Sequence, residues 1–212
     1  MLHNIVQYII GNWIEVLGTI VGFIYLYLEY KGSIKLWIAG IIMPAIYLQI
    51  YFDAGLYADF AINIYYLVIA IYGWLMWKYG SLFAFQKQIH KSSNSQIMIS
   101  HISKKIAVVS MVVFLIIWLL IAQILIHFTN STVPWLDAFT TALSIVGMWL
   151  LAHKIVEQWW AWLLVDIVSA ALYVYKELYL TAGLYAVYVV IIFFGYKKWI
   201  AMMNEQKLEL NE

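Results

Sequence analysis

The chain has 212 residues, of which 66% are hydrophobic, 18% aromatic and only 11% charged. A soluble domain carries about a quarter charged residues, so this composition excludes a water-facing surface over most of the molecule and requires lipid around it. A net charge of +1 with no basic stripe excludes nucleic acid as a partner, and zero cysteines exclude disulfides, thiolate chemistry and Cys-type metal sites.

Residues 1–11 have neither a basic n-region nor a small-residue cleavage site, which argues against a removable signal peptide. A membrane crossing needs about 20 mostly apolar residues. Seven stretches qualify: 12–28, 34–52, 57–77, 106–128, 134–151, 159–175 and 178–197. Tight reversals join the second to the third at 53–56 and the sixth to the seventh at Lys176 and Glu177. One long polar stretch, 78–105, has QKQIHKSSNSQ in its middle and reads as a loop between two halves. Residues 200–212 form a polar tail. The expected fold is therefore an all-α integral membrane protein with seven transmembrane helices.

All 12 basic residues are lysines. When the loops are assigned alternately to two sides, Lys176 stands alone on one side and every other lysine falls on the opposite side. The positive-inside rule then puts residues 1–11 outside, and the 78–105 loop and the C-terminal tail in the cytoplasm. An odd number of crossings, such as seven, satisfies this orientation.

The second half of the chain repeats the first. At a shift of 122, Trp37 meets Trp159, Ala39 meets Ala161, Tyr66 meets Tyr188, Gly73 meets Gly195 and Trp77 meets Trp199. At a shift of 125, Thr19–Phe23 meets Ser144–Met148. Two three-helix repeats, 12–77 and 134–199, joined by one linking helix, 106–128, are parallel rather than inverted. This 3+1+3 plan is similar to that of SWEET proteins, and transporters built from parallel repeats hold substrate near the membrane midplane between them.

An ionisable side chain inside a bilayer costs roughly 2.5–3.5 kcal/mol on insertion scales, so it needs a partner or a purpose. Glu29, Asp53, Glu157 and Glu177 escape the cost at helix ends. Asp166, between Val165 and Ile167, does not. Trp159, Trp162 and Asp166 stand at i, i+3 and i+7, with Ser169 continuing the stripe. Two indoles, a carboxylate and a hydroxyl on one helix face would suit a substrate, and a hydrogen bond to a neighbouring helix explains Asp166 equally well. Its mate in the repeat is Pro44, a mid-helix proline that removes one backbone hydrogen bond, as a gate or as an ordinary kink. Asp59, Asn63 and Tyr66 share one face of the third helix, and Gln49 could meet them from the second. Asn63 should point into the bundle, as a substrate contact or as interhelical glue. Tyr185 and Tyr188 are the matching candidates on the seventh helix. The five histidines are scattered without metal-ligand spacing, and HExxH, P-loop, GxGxxG and GxSxG patterns are all absent. The sequence therefore suggests no enzyme, no metal and no cofactor.

Residues 56–77, with Tyr72-Gly73-Trp74, and residues 157–199, with the Trp159-x6-Asp166 pattern, resemble the Pnu family of bacterial vitamin transporters. The resemblance spans about residues 12–199. It implies a SWEET-like fold, a homotrimer in the inner membrane, and facilitated diffusion of a small-molecule vitamin. A separate cytoplasmic kinase then traps the product by phosphorylation, with no contact required. Family members carry nicotinamide riboside or, in a sister group, thiamine, both with a cationic aromatic ring. A dry carboxylate beside tryptophan faces fits such a ring, and cation–π attraction reaches about 2 kcal/mol when desolvated. Asn63, Gln49 and the tyrosines would then hydrogen-bond the other end. One departure stands out: the riboside carriers usually have a glutamine immediately before the tryptophan matched by Trp149, and here that position is Met148. A lost buried amide changes ligand choice, which favours thiamine. Nicotinamide riboside, the commoner family substrate, keeps first place. A SWEET-type sugar carrier and a non-transporting receptor, sensor or cryptic intramembrane enzyme are the rival classes.

Overall fold

The computed structural model describes residues 13–53, 57–80, 97–175, 177 and 179–209. Among these residues there are seven α-helices: α1 (Trp13–Tyr30), α2 (Lys35–Asp53), α3 (Tyr57–Tyr79), α4 (Lys104–Phe128), α5 (Pro134–Ala152), α6 (Gln158–Tyr175) and α7 (Tyr179–Glu209). The expected N-terminal segment, the 54–56 reversal and the middle of the long loop, 81–96, lie outside the described residues. Among the described residues, α4, α5 and the Thr181–Glu209 part of α7 are long and apolar enough to cross a membrane.

Local chemistry accounts for the helix ends. Ser103 caps α4, its hydroxyl accepting the Ile106 N–H at 3.3 Å. Pro134 opens α5, where its missing N–H leaves nothing unsatisfied. α2 runs unbroken through Pro44, which is buried. α7 continues past the apolar stretch to Glu209, because Met202, Glu205, Gln206 and Lys207 are good helix formers.

The chain divides into two compact units, Met1–Trp74 and Leu75–Glu212. In the first, α1 packs on α2, and Trp37 on α2 is fully buried against α3. Gly73 makes this possible, since a Cβ there would overlap the six-membered ring of Trp37. In the second unit, α4 packs on α5, α5 on α6, and α6 on α7. Trp159 on α6 is likewise fully buried, with its six-membered ring where a Gly195 Cβ would stand. The same tryptophan-on-glycine contact thus occurs in both units, at positions related by the 122-residue shift. α4 turns Val108, Val112, Leu115, Ile116 and Leu119 outward, as a lipid-facing helix should, and buries only Phe114 and Ala122.

One end of the second unit is tied by polar contacts. Trp77, in the last turn of α3, donates its indole N–H to the carbonyls of Leu151 and Ala152 at 3.2 and 3.1 Å. Two carbonyls at the C-terminus of α5 are thereby satisfied. Ser100 pairs with the α5–α6 turn, its N–H on the Lys154 carbonyl and its carbonyl on the Val156 N–H. Glu157 accepts the Ile102 N–H and contacts His101 Nδ1, both at 2.8 Å, and Gln206 of α7 accepts the Ile99 N–H at 3.0 Å. Lys154 adopts φ 51°, the left-handed conformation that ends a helix. Its ammonium lies 4.6 Å from the centroid of the Trp77 ring. Burial pushes the Lys154 amine down to about 8.

Gly73→Ala and Gly195→Ala should each destabilise the protein by roughly 1–3 kcal/mol through overpacking, read as a lower melting midpoint in detergent. Trp159→Phe, whose ring reaches less far, should restore part of the loss in the Gly195 variant. Lys154 gives a pH signature. Below about pH 8 it is protonated in both folded and unfolded chains, and burial of its charge weighs fully against folding. Between about 8 and its ordinary 10.5 the folded chain has released the proton while the unfolded chain keeps it, so stability rises with pH. Lys154→Met should abolish that rise in a melting series across this window and raise the midpoint at neutral pH.

Candidate functional site

The α6 stripe read from the sequence has the expected geometry. Trp159, Asp166 and Ser169 are buried and Trp162 is half-buried, all on the side of α6 turned into the second unit. Trp162 rests on α5, where Gly147 leaves room: a Cβ there would stand 3.4 Å from its six-membered ring. The indole N–H groups of both Trp159 and Trp162 are buried and meet no acceptor among the described residues. Asp166 is only 7% exposed, yet it makes no hydrogen bond and faces no cation there. A carboxylate and two indole donors are therefore held on one face with their hydrogen-bonding capacity unused, which is unusual for buried polar atoms.

α7 supplies the tyrosines. Tyr185 and Tyr188 lie in the neighbourhood of Asp166. Tyr185 stacks at 5.2 Å with Tyr173, the next residue of the α6 stripe, and at 5.8 Å with Tyr188. The structure thus brings together Trp162, Asp166, Tyr185 and Tyr188, with Trp159 at the start of the row. Met148 is buried on α5, beside Gly147. Trp149 is occupied elsewhere, 4.1 Å from the His153 ring and packed with the Phe114 cluster between α4 and α5. Burial lowers the His153 imidazole, with its hydrogen bond to the Trp149 carbonyl acting the other way.

The remaining candidates belong to the first unit. Asn63 and Tyr66 are half-buried on α3, with the Tyr66 ring 5.6 Å from Tyr65. Gln49 is exposed on α2. Asp59 falls on α3, and its side chain lies outside the described residues. Pro44 is buried at the middle of α2, at the repeat position of Asp166.

Two polar residues depart from the sequence expectation: Glu29, expected in water at the end of α1, is buried, and Gln158 was not singled out. Gln158, the first residue of α6, is fully buried, and neither its amide nitrogen nor its oxygen has a partner among the described residues. Nothing in the local sequence, at a helix start beside Glu157, marks it as buried. Its repeat mate, Leu36, was the available signal.

The chain matches the model of a protein family described as nicotinamide mononucleotide transporter over residues 12–201. It is 24% identical over 210 residues to the nicotinamide riboside transporter PnuC of Escherichia coli (strain K12), which covers 92% of this chain and 88% of that one. It is 25% identical over 193 residues to the riboflavin/roseoflavin transporter RibM of Streptomyces davaonensis, covering 88% and 84%. Among solved structures, the crystal structure of the vitamin B3 transporter PnuC matches with a TM-score of 0.66 at 19% identity, covering 94% of this chain and 87% of that one. At that identity the likeness speaks for the fold alone.

A buried carboxylate without a partner destabilises the protein that holds it. Asp166→Asn, and more so Asp166→Leu, should raise the melting midpoint in detergent, by an amount on the order of 1–3 kcal/mol. Ser169→Ala on the same face should leave it nearly unchanged.

Proposed function

We propose that this chain, which belongs to the nicotinamide mononucleotide transporter family, carries a vitamin with a cationic aromatic ring into the bacterial cell, with nicotinamide riboside as its cargo. Transport in this reading is facilitated diffusion, and a cytoplasmic kinase acting downstream makes uptake one-way. The observation that carries the cargo assignment is Asp166, a buried carboxylate with no partner among the described residues, on the same face as two indole donors likewise unpartnered there. A pyridinium ring supplies the missing positive charge and stacks on an indole face, with cation–π attraction on the order of 2 kcal/mol in a dry site. Ribose hydroxyls and a carboxamide supply acceptors for the indole N–H groups and partners for Tyr185 and Tyr188. On the first repeat, Asn63, Tyr66 and Gln49 are proposed as further substrate contacts and Pro44 as the gating element.

The architecture that accompanies this reading has seven crossings in a SWEET-like 3+1+3 plan, with repeats 12–77 and 134–199 around a linking helix, 106–128. The recurring Trp37–Gly73 and Trp159–Gly195 contacts support it. The lysine asymmetry supports an inner-membrane protein with its N-terminus outside and its C-terminus in the cytoplasm.

A second reading, thiamine, rests on Met148. Its buried thioether stands where the riboside carriers usually place a glutamine, and it offers only a weak acceptor. Purified protein in liposomes distinguishes the two when uptake of labelled nicotinamide riboside and thiamine is measured in parallel. With no kinase inside, the riboside should equilibrate across the membrane without accumulating and without response to a proton gradient. Trp162→Ala and Asp166→Asn should each slow uptake about tenfold or more, the equivalent of ~1.4 kcal/mol. Riboside uptake at the wild-type rate by both folded variants would sink the site. Uptake of thiamine alone would make Met148 the residue that sets the cargo.

A further inference from the structure

Gln158 stands apart from the tryptophan–aspartate site, and packing does not require it. Its counterpart in the first repeat, Leu36, is also fully buried, next to the equivalent tryptophan, Trp37. The position is therefore compatible with an apolar side chain of similar size. The second repeat instead carries an amide there, with both polar atoms buried and unpartnered among the described residues. An amide kept dry and unsatisfied costs stability that leucine would not, so a use beyond packing is implied.

Its place in the helix indicates what that use is. Gln158, Trp162 and Asp166 follow at i, i+4 and i+8, a single row along α6. At 1.5 Å per residue the row spans about 12 Å, from the middle of the helix to its first residue. Each member carries polar capacity that nothing in the described residues uses: the Asp166 carboxylate, the Trp162 indole N–H and the Gln158 amide. By the lysine distribution the start of α6 is its cytoplasmic end. We propose that Gln158 is a second binding station, on the cytoplasmic side of the Asp166 site. Its ligand is an uncharged hydroxyl or carboxamide group of the permeant, held during release into the cell. The amide can donate to and accept from such a group but offers no charge, so it holds the permeant weakly enough to let it go. This inference rests on the transport reading above.

Because the chain has no cysteine, Gln158→Cys and Leu36→Cys give clean single-thiol proteins. Each is exposed to a membrane-impermeant methanethiosulfonate in inside-out and right-side-out vesicles. The thiol at 158 should be modified from the cytoplasmic face at least about tenfold faster than the thiol at 36, as the route opens and closes. Equal rates at the two positions, or modification of 158 only from the outside, would overturn the proposal. Labelling needs no substrate, so failure of the wild-type protein to move nicotinamide riboside or thiamine would indict the cargo reading and leave this test intact. Gln158→Leu gives a second arm should the thiol variant fold poorly. It should melt no lower than wild type and bind the riboside with unchanged affinity by tryptophan fluorescence, yet take it up about tenfold more slowly. Uptake by Gln158→Leu at the wild-type rate would likewise overturn it.

Discussion

A tryptophan laid flat on a glycine organises each half of this protein. A lipid-embedded helix pair gains little from the hydrophobic effect, because its surroundings are already apolar, so close van der Waals packing has to hold it. Trp37 on Gly73 and Trp159 on Gly195 supply that packing, with a large flat ring where any other residue would place a Cβ. Trp159 then stacks edge-on against Trp199, at 5.9 Å between ring centroids, and Trp199 stands 6.3 Å from Trp77. The contact thus begins a chain of three indoles across the second unit. It also fixes the rotation of α6, and with it the direction in which Trp162 and Asp166 point.

The same indole chain ends at the collar around the α5–α6 turn. Trp77 satisfies carbonyls at the end of α5, and the buried ammonium of Lys154 rests over its ring. The strand-like pairing of Ser100, the Glu157 clasp and the Gln206 bond to Ile99 attach the start of α4 and the end of α7 to the same turn. Most of these bonds involve backbone groups of non-helical residues, which would otherwise be unsatisfied. The collar keeps this end of the unit ordered while α6 carries unused polar groups into its interior.

Those unused groups and the stability of the fold pull in opposite directions. Leucine at 158 or at 166 would pack without a polar penalty. The chain instead keeps an amide, an indole N–H and a carboxylate along one row of α6 with no partner among the described residues. Such a row is costly in a resting protein and suited to a polar molecule passing along it. Family membership, reached through the match over residues 12–201, and the unused groups on α6 lead to the same class of activity.

Much of this was legible in the sequence, because lipid imposes simple patterns. The charge deficit, the seven apolar stretches, the lysine asymmetry and the 122-residue repeat all follow from local composition and period. So did the α6 stripe, since helical spacing alone places Trp159, Trp162, Asp166 and Ser169 on one side. Other features depend on contacts between helices and leave no local trace. The sequence could align Trp37 with Trp159 and Gly73 with Gly195, but not show that each tryptophan rests on its glycine. Trp149, a natural companion for Met148 by adjacency, turns toward His153 and the α4–α5 core, because neighbours on a helix point about 100° apart. Nothing in the local sequence marks Gln158, at a helix start beside Glu157, as buried; tertiary packing removes it from water. Sequence by itself determined which residues share a face; the tertiary structure decided which of those faces are dry, because burial is a property of what packs against a residue and not of the residue.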